Sequence, residues 1–174
     1  MKSFLQLIGF AIALLIAQLV TLQLPPEICP DLVLIFALAM GLRIGGGVTG
    51  LVLAFGVGFL VDATAEPTPG LNALLYGTAC ALTRLFDRAL YLRAGGPWSL
   101  YVAGYVVIHM VLRVLIEGTF MPEAAPTWAE VAWRIPGVAV LTAICAGPLL
   151  RVFRKLDPGV GSETGWGLLH QRVG

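Results

Sequence analysis

Three ionisable residues within one apolar segment are the clearest candidates for chemistry in this sequence. His109, Arg113 and Glu117 are spaced four residues apart, so on a helix they share one face. Such residues are rare in apolar segments, because a charge at the centre of a bilayer costs about 2.5–3.5 kcal/mol. We predict that Arg113 pairs with Glu117. Two uses remain open: an ion pair that orients the helix at the membrane surface, or a polar contact to another membrane subunit or a lipid phosphate.

Two aspartates flank other apolar segments. Asp31 follows Pro30 and is well placed to cap a helix that begins at the next residue. Asp62 stands at the C-terminal end of a predicted helix, where the helix dipole disfavours a negative charge. We therefore expect Asp62 to hydrogen-bond the turn that follows it, with contact to a partner protein as the alternative.

The familiar catalytic and cofactor-binding patterns are missing from the sequence. Ser3, Ser99 and Ser162 are the only serines, and none lies deep in an apolar segment with a histidine partner. There is no H-E-x-x-H pattern, and glycines 45–47 lack the G-K-[ST] ending of a phosphate-binding loop. We predict no catalytic residue, no metal and no cofactor, so the chain is not expected to be an enzyme.

The composition predicts an integral membrane protein. The 174 residues are 58% hydrophobic and 12% charged, and the mean hydropathy is +0.89. Soluble domains carry about 25% charged residues, so we expect membrane lipids to surround this chain. The net charge of +1 excludes a nucleic-acid-binding surface that depends on bulk charge.

Six apolar runs predict an all-α fold, a compact bundle of six transmembrane helices in residues 1–156. The first run is too long for the core of a signal peptide, so we expect it to be retained. The second and third runs are short and are joined by a tight turn at residues 43–47. Residues 157–174 are predicted to form a flexible cytoplasmic tail. The predicted spans are about 4–24, 32–42, 48–62, 71–85, 99–119 and 130–152.

The charged residues predict the orientation. Lys and Arg near the ends of spans remain on the cytoplasmic side, so both termini are predicted to lie inside the cell. Nine of the eleven basic residues then fall on that side: Lys2, Arg43, Arg84, Arg88, Arg93, Arg151, Arg154, Lys155 and Arg172. Seven acidic residues fall at the opposite ends: Glu27, Asp31, Asp62, Glu66, Glu117, Glu123 and Glu130.

Small residues recur at every fourth position of the third run and predict close helix packing. Residues with this spacing share one stripe of a helix and let helix backbones approach closely in lipid. The second, fourth and sixth runs carry similar stripes, which favours a compact bundle over a wide aqueous pore. The stripe of the third run is Gly46, Gly50, Ala54, Gly58 and Asp62.

Three stretches of this sequence resemble the MreD family of rod shape-determining proteins. They are Pro30–Leu34, followed by the glycine-broken hairpin, then Gly58–Asp62, and Pro69–Leu74. The chain length, the number of spans and the cytoplasmic termini agree with that family.

The resemblance implies a non-enzymatic subunit of the bacterial cell-elongation complex in the cytoplasmic (inner) membrane. Such a subunit binds the scaffold MreC and through it links MreB filaments to RodA and a class B penicillin-binding protein. Asp31, Asp62, Gly70 and Asn72 would then lie on the periplasmic side. The small-residue faces would pack the bundle or receive a partner's helix.

The MreD family is also similar in fold to the substrate-binding subunits of energy-coupling-factor vitamin transporters, which supplies an alternative function. Ala13 and Ala17 form the kind of small-residue pair with which those subunits dock on their coupling partner. A vitamin-binding subunit should hold a tight small ligand, whereas a shape-complex subunit should copurify with MreC. A lipid flippase is a third class, and it would need a polar cavity.

Overall fold

Six α-helices and no β-strand are found in the described part of the chain, which confirms the all-α prediction. The computed structural model describes residues 2–21, 23, 25, 29–43, 47–65, 69–90, 92, 97–123 and 126–157. The helices are α1 (Lys2–Thr21), α2 (Leu32–Gly41), α3 (Gly47–Ala65), α4 (Leu71–Leu90), α5 (Trp98–Phe120) and α6 (Trp128–Leu156). The middle of the glycine turn and the predicted tail from residue 158 onward lie outside the described residues.

Helix α2 is the centre of the fold. Every residue from Val33 to Gly41 is buried, and α2 contacts each of the other five helices. Those five form a ring around it, because α1 contacts α3 and α6, α4 contacts α3 and α5, and α5 contacts α6. A helix that is apolar on all sides lies either in a protein core or across a membrane, and the contacts of α2 place it in the core. The sequence of α2, LVLIFALAMG, fits this central position.

Both ends of α2 are fixed to α6. The Asp31 amide donates to Oγ1 of Thr142, near the middle of α6, over 3.0 Å. At the other end, Nε of Arg43 donates to Oδ2 of Asp157 over 2.7 Å. Helix α2 has 10 residues and is about 15 Å long at 1.5 Å per residue. It therefore lies along only the second half of the 29-residue helix α6.

The small-residue stripe of α3 packs inside the bundle. A Cβ at Gly50 would lie 2.8 Å from the carbonyl oxygen of Met40, and one at Gly58 would lie 2.6 Å from Cα of Ala73. Ala54, between them, is fully buried. These positions let α3 approach the backbones of α2 and α4, as the spacing predicts. They are occupied by the chain's own helices and leave no room for a partner's helix.

Helix α3 is longer than predicted. It has 19 residues, so among the described helices only α2 is distinctly short. Glycine is tolerated at Gly47 because this residue opens the helix, and the helix continues past Asp62 to Ala65. Asp62 therefore does not end α3. Its carboxylate accepts a hydrogen bond from Gly70 in the following turn, which confirms that prediction, and two more from amides in the first turn of α4.

Large apolar side chains cover the outer faces of the ring. Helices α5 and α6 are long and apolar enough to cross a membrane by length and composition, and shorter apolar helical stretches cover Leu5–Thr21, Leu32–Gly41 and Val48–Ala63. Exposed apolar patches larger than a few hundred Å² mark surfaces that contact lipid or another protein. Examples of exposed residues on the five ring helices are Leu5, Ile12, Ile16, Val48, Val52, Phe59, Leu74, Leu85, Leu100, Ile108, Trp133, Val140 and Ile144.

We predict that Gly58→Ala destabilises the protein whereas Gly56→Ala, on the same helix, does not. The added methyl group at Gly58 meets the backbone of α4, whereas nothing lies within 4 Å of a Cβ at Gly56. The expected loss is about 1–3 kcal/mol in the free energy of unfolding for Gly58→Ala. Unfolding of both variants in the same detergent would measure it, and equal stability of the two would contradict the close packing of α3 on α4.

Candidate functional site

A stripe of five polar residues winds along α5, turning about 40° around the helix at each step of four residues. They are Tyr101, Tyr105, His109, Arg113 and Glu117, which extends the predicted trio by two turns. Tyr105, His109 and Glu117 are buried, so these three side chains point into the protein. A polar face of this length on an apolar helix requires polar partners on the neighbouring helices.

Helix α4 supplies partners for the first three residues of the stripe. Oxygen atoms of Tyr101 and Thr83 lie 3.0 Å apart, and the ring centroids of His109 and Tyr76 are 5.6 Å apart in a stacked arrangement. The three contacts are Tyr101 with Thr83, Tyr105 with Thr78, and His109 with Tyr76. The interface between α4 and α5 is therefore made by hydroxyl and aromatic groups.

A charged group adjoins the end of this interface. Arg113 Nε donates to Oε1 of Glu117 over 3.0 Å, which confirms the predicted pair, and their side chains are 30% and 9% exposed. The Arg113 guanidinium also interacts electrostatically with the Asp31 carboxylate and the His109 ring. We call Asp31, Tyr76, His109, Arg113 and Glu117 the polar cluster. It joins α2, α4 and α5 at one place.

Asp31 has two roles in the polar cluster. Its Oδ1 accepts the Leu34 amide over 2.8 Å, which makes it the N-cap that the sequence predicts for α2. The Tyr76 hydroxyl lies 3.3 Å from each of the two carboxylate oxygens and donates to them. The cap of the central helix is thereby connected through Tyr76 to the stacked ring of His109.

Helix α1 also contributes to the start of α2. Oε1 of Gln18 accepts the Leu32 amide over 2.8 Å, and Nε2 of the same side chain lies 3.8 Å from Sγ of Cys29. Sequence reasoning missed Gln18, Tyr76 and Thr142. A polar side chain isolated within an apolar run, as Gln18 is, was the available signal.

Two buried polar atoms near Tyr76 have no hydrogen-bond partner among the described residues. They are Nδ2 of Asn72 and Nε2 of His109. Asn72 is 2% exposed and His109 is 5% exposed. Asn72 precedes Tyr76 by one helical turn, and His109 stacks on Tyr76, so both atoms belong to the surroundings of one side chain.

Asp62 caps the N-terminus of α4. Its carboxylate accepts the amides of Gly70 (3.0 Å), Asn72 (2.9 Å) and Ala73 (3.1 Å). Gly70 has a φ of 90°, a conformation that glycine adopts without steric cost. The positive end of the α4 dipole favours the carboxylate and offsets the unfavourable position of Asp62 near the end of α3.

The comparison with protein-family models decides the family. The model described as rod shape-determining protein MreD matches residues 1–156, a range that includes all six helices. The chain belongs to the MreD family. No curated protein matches it, and no solved structure does either. Membership of the MreD family supports a role in rod shape determination.

The predicted site residues of this MreD-family protein fall into two groups. Asp31, Arg113 and Glu117 meet in the polar cluster. The others lie in the helical hairpin formed by α3 and α4: Gly50, Ala54, Gly58, Asp62, Gly70 and Asn72. Within the hairpin, Asn72 lies one helical turn before Tyr76, which belongs to the polar cluster. Within the described residues, no group of three or more His, Cys, Asp or Glu side chains is arranged to hold a metal ion.

We predict that Asp62→Ala destabilises the protein more than Thr127→Ala. Asp62 is buried and accepts three amides, and hydrogen bonds to charged groups are worth about 1.5–3 kcal/mol each. Thr127 caps α6 in an exposed capping box, and loss of such a cap typically costs about 1 kcal/mol. Unfolding in one detergent would compare them. A smaller loss for Asp62→Ala would contradict the hairpin role of Asp62.

Proposed function

We propose that this protein is a non-enzymatic, multi-pass subunit of the bacterial cell-elongation complex in the inner membrane. In this proposal it binds the scaffold MreC and helps to couple MreB filaments to peptidoglycan synthesis by RodA and its penicillin-binding protein. Family membership over residues 1–156 is the observation that carries the proposal. The exposed apolar faces of the ring helices support it, because they provide surface for lipid and for a partner's transmembrane helix.

Arg113 is the residue that we assign to partner contact. Its side chain is 30% exposed and lies on a helix whose outer positions are apolar, such as Ile108 and Leu115. A partly exposed guanidinium on an apolar surface offers donors to a polar side chain of a partner, and such hydrogen bonds guide association in lipid. Glu117 holds the guanidinium in place.

We predict that Arg113→Leu leaves membrane insertion intact but lowers the amount of MreC that copurifies from native membranes by about tenfold, equivalent to 1.4 kcal/mol. The variant lacks the exposed guanidinium N–H groups that, in this proposal, donate hydrogen bonds to MreC. Because this change leaves the buried Glu117 without its salt-bridge partner, the double variant Arg113→Leu/Glu117→Gln should be compared under the same conditions. It removes both charges and leaves no unpaired carboxylate.

Arg134→Leu is the matched control, since Arg134 is a partly buried arginine on the neighbouring helix α6. It should retain MreC. Recovery of MreC at the wild-type level in both Arg113 variants would exclude the proposed contact, provided that the variants are as stable as the wild type.

The proposed topology has both termini in the cytoplasm. Arg154 and Lys155 lie in the last turn of α6, and the Arg43–Asp157 salt bridge places the basic end of α2 beside them. Three basic residues, Arg43, Arg154 and Lys155, therefore lie at one end of the bundle. This supports a cytoplasmic location for that end.

We predict that green fluorescent protein fused after Gly174 fluoresces and that alkaline phosphatase fused there is inactive, because the former matures in the cytoplasm and the latter does not. The same two reporters fused after Met121, at the end of α5, should give the opposite pattern. Active phosphatase after Gly174 would contradict the topology.

A further inference from the structure

The interface between α4 and α5, which we call the α4–α5 seam, differs from the rest of the ring. Helices α4 and α5 pack less closely than α3 and α4 or α5 and α6. Large aromatic side chains occupy the seam, whereas glycines occupy the α3–α4 interface. At its surface lie the half-buried residues Thr78 and Tyr101.

Two buried atoms near the inner wall of the seam lack a hydrogen-bond partner within the described part of the chain: Nε2 of His109, whose ring stacks on Tyr76, and Nδ2 of Asn72, one helical turn before Tyr76. Buried polar groups in proteins are nearly always hydrogen-bonded, so two exceptions around Tyr76 point to a bound polar group. Side chains three or four positions apart on a helix are about 5–6 Å apart at Cβ. Asn72 is therefore a neighbour of Tyr76, on whose ring His109 stacks with 5.6 Å between the centroids.

The charges around the seam select the chemistry of that group. Nδ2 of Asn72 can only donate a hydrogen bond, whereas Nε2 of a neutral histidine donates or accepts according to its tautomer. A hydroxyl group both donates and accepts, so it satisfies either arrangement. The carboxylates of Asp31 and Glu117 disfavour an anionic group, and Nδ2 of Asn72, which can only donate, offers no acceptor to a cationic one. The ligand is accordingly neutral and bears hydroxyl groups.

The surface beside the seam indicates that the ligand also has an apolar part. Leu74 on α4 and Ile108 on α5 are exposed; Leu74 lies one helical turn before Thr78 at the surface of the seam, and Ile108 directly precedes His109. An acyl chain on this surface would contact apolar side chains while its headgroup enters the seam.

We propose that the α4–α5 seam binds the neutral, hydroxyl-bearing headgroup of a lipid, in contact with Asn72 and His109. The inference rests on the proposed membrane location, but it assigns a ligand site that is separate from MreC binding. Tyr101 lies at the entrance, and Tyr76 forms the inner wall against which His109 stacks.

Thermal unfolding of the purified full-length protein with monoolein tests the proposal. Monoolein has a glycerol headgroup, and methyl oleate carries a similar chain without hydroxyl groups. We expect monoolein at about ten times its Kd to raise the Tm of the wild type by about 3 °C or more, and methyl oleate to give no comparable rise.

Two variants test whether the headgroup contacts His109 and Asn72. His109→Phe retains an aromatic ring to stack on Tyr76 but lacks nitrogen atoms, and Asn72→Leu retains the side-chain volume without the amide. Each should weaken monoolein binding by about tenfold. Thr119→Val is the control, because Thr119 is exposed on the same helix and its hydroxyl bonds only to the Leu115 carbonyl in the described structure.

Equal shifts with monoolein and methyl oleate would overturn the proposal, as would an unchanged monoolein shift in both variants. No shift with either lipid in the wild type would also overturn it and would leave a water molecule as the occupant. MreC copurification should be measured with the same variants. Loss of monoolein binding with full MreC recovery supports a separate site, and failure of MreC binding in the wild type contradicts the proposed function alone.

Discussion

The enclosure of α2 by five other helices is the constraint on which the rest of this structure depends. Its residues from Val33 to Gly41 are buried on every side, so the apolar side chains that stabilise the core belong to all six helices. The ring helices can enclose α2 because glycines bring α3 against α2 and α4. A larger residue at Gly50 or Gly58 would move a backbone, and the central helix would lose part of its enclosure.

The short length of α2 explains the position of the polar cluster. Because α2 begins beside Thr142, near the middle of α6, its first amides lie part-way along the bundle and are partly buried, so they need partners within the protein. Asp31 accepts one of these amides and Gln18 accepts another. The Asp31 carboxylate then needs its own partners, which Tyr76 and Arg113 supply. A half-length central helix thus accounts for polar groups at a depth where apolar side chains would otherwise be expected.

Sequence reasoning identified the features that depend on local spacing. The cap at Asp31, the Arg113–Glu117 pair and the buried stripe of α3 each follow from residues three or four apart on a helix. It missed the contacts of Tyr76 and Thr142 with Asp31, because these join residues 45 and 111 positions apart. Such contacts depend on which helices become neighbours, and hydropathy does not encode that. The extension of α3 was missed because Asp62 was taken to end its helix, whereas it caps the next one.

The central claim is that five helices present apolar faces to lipid while the sixth is enclosed. Electron paramagnetic resonance of spin labels in lipid bilayers tests it most directly, with one label at a time at Ile16, Val52, Leu74, Ile108 or Val140, all exposed and each on a different ring helix. The account predicts that oxygen, which concentrates in lipid, relaxes all five labels strongly and that a water-soluble nickel chelate does not. Strong relaxation by nickel at most of these positions would contradict it.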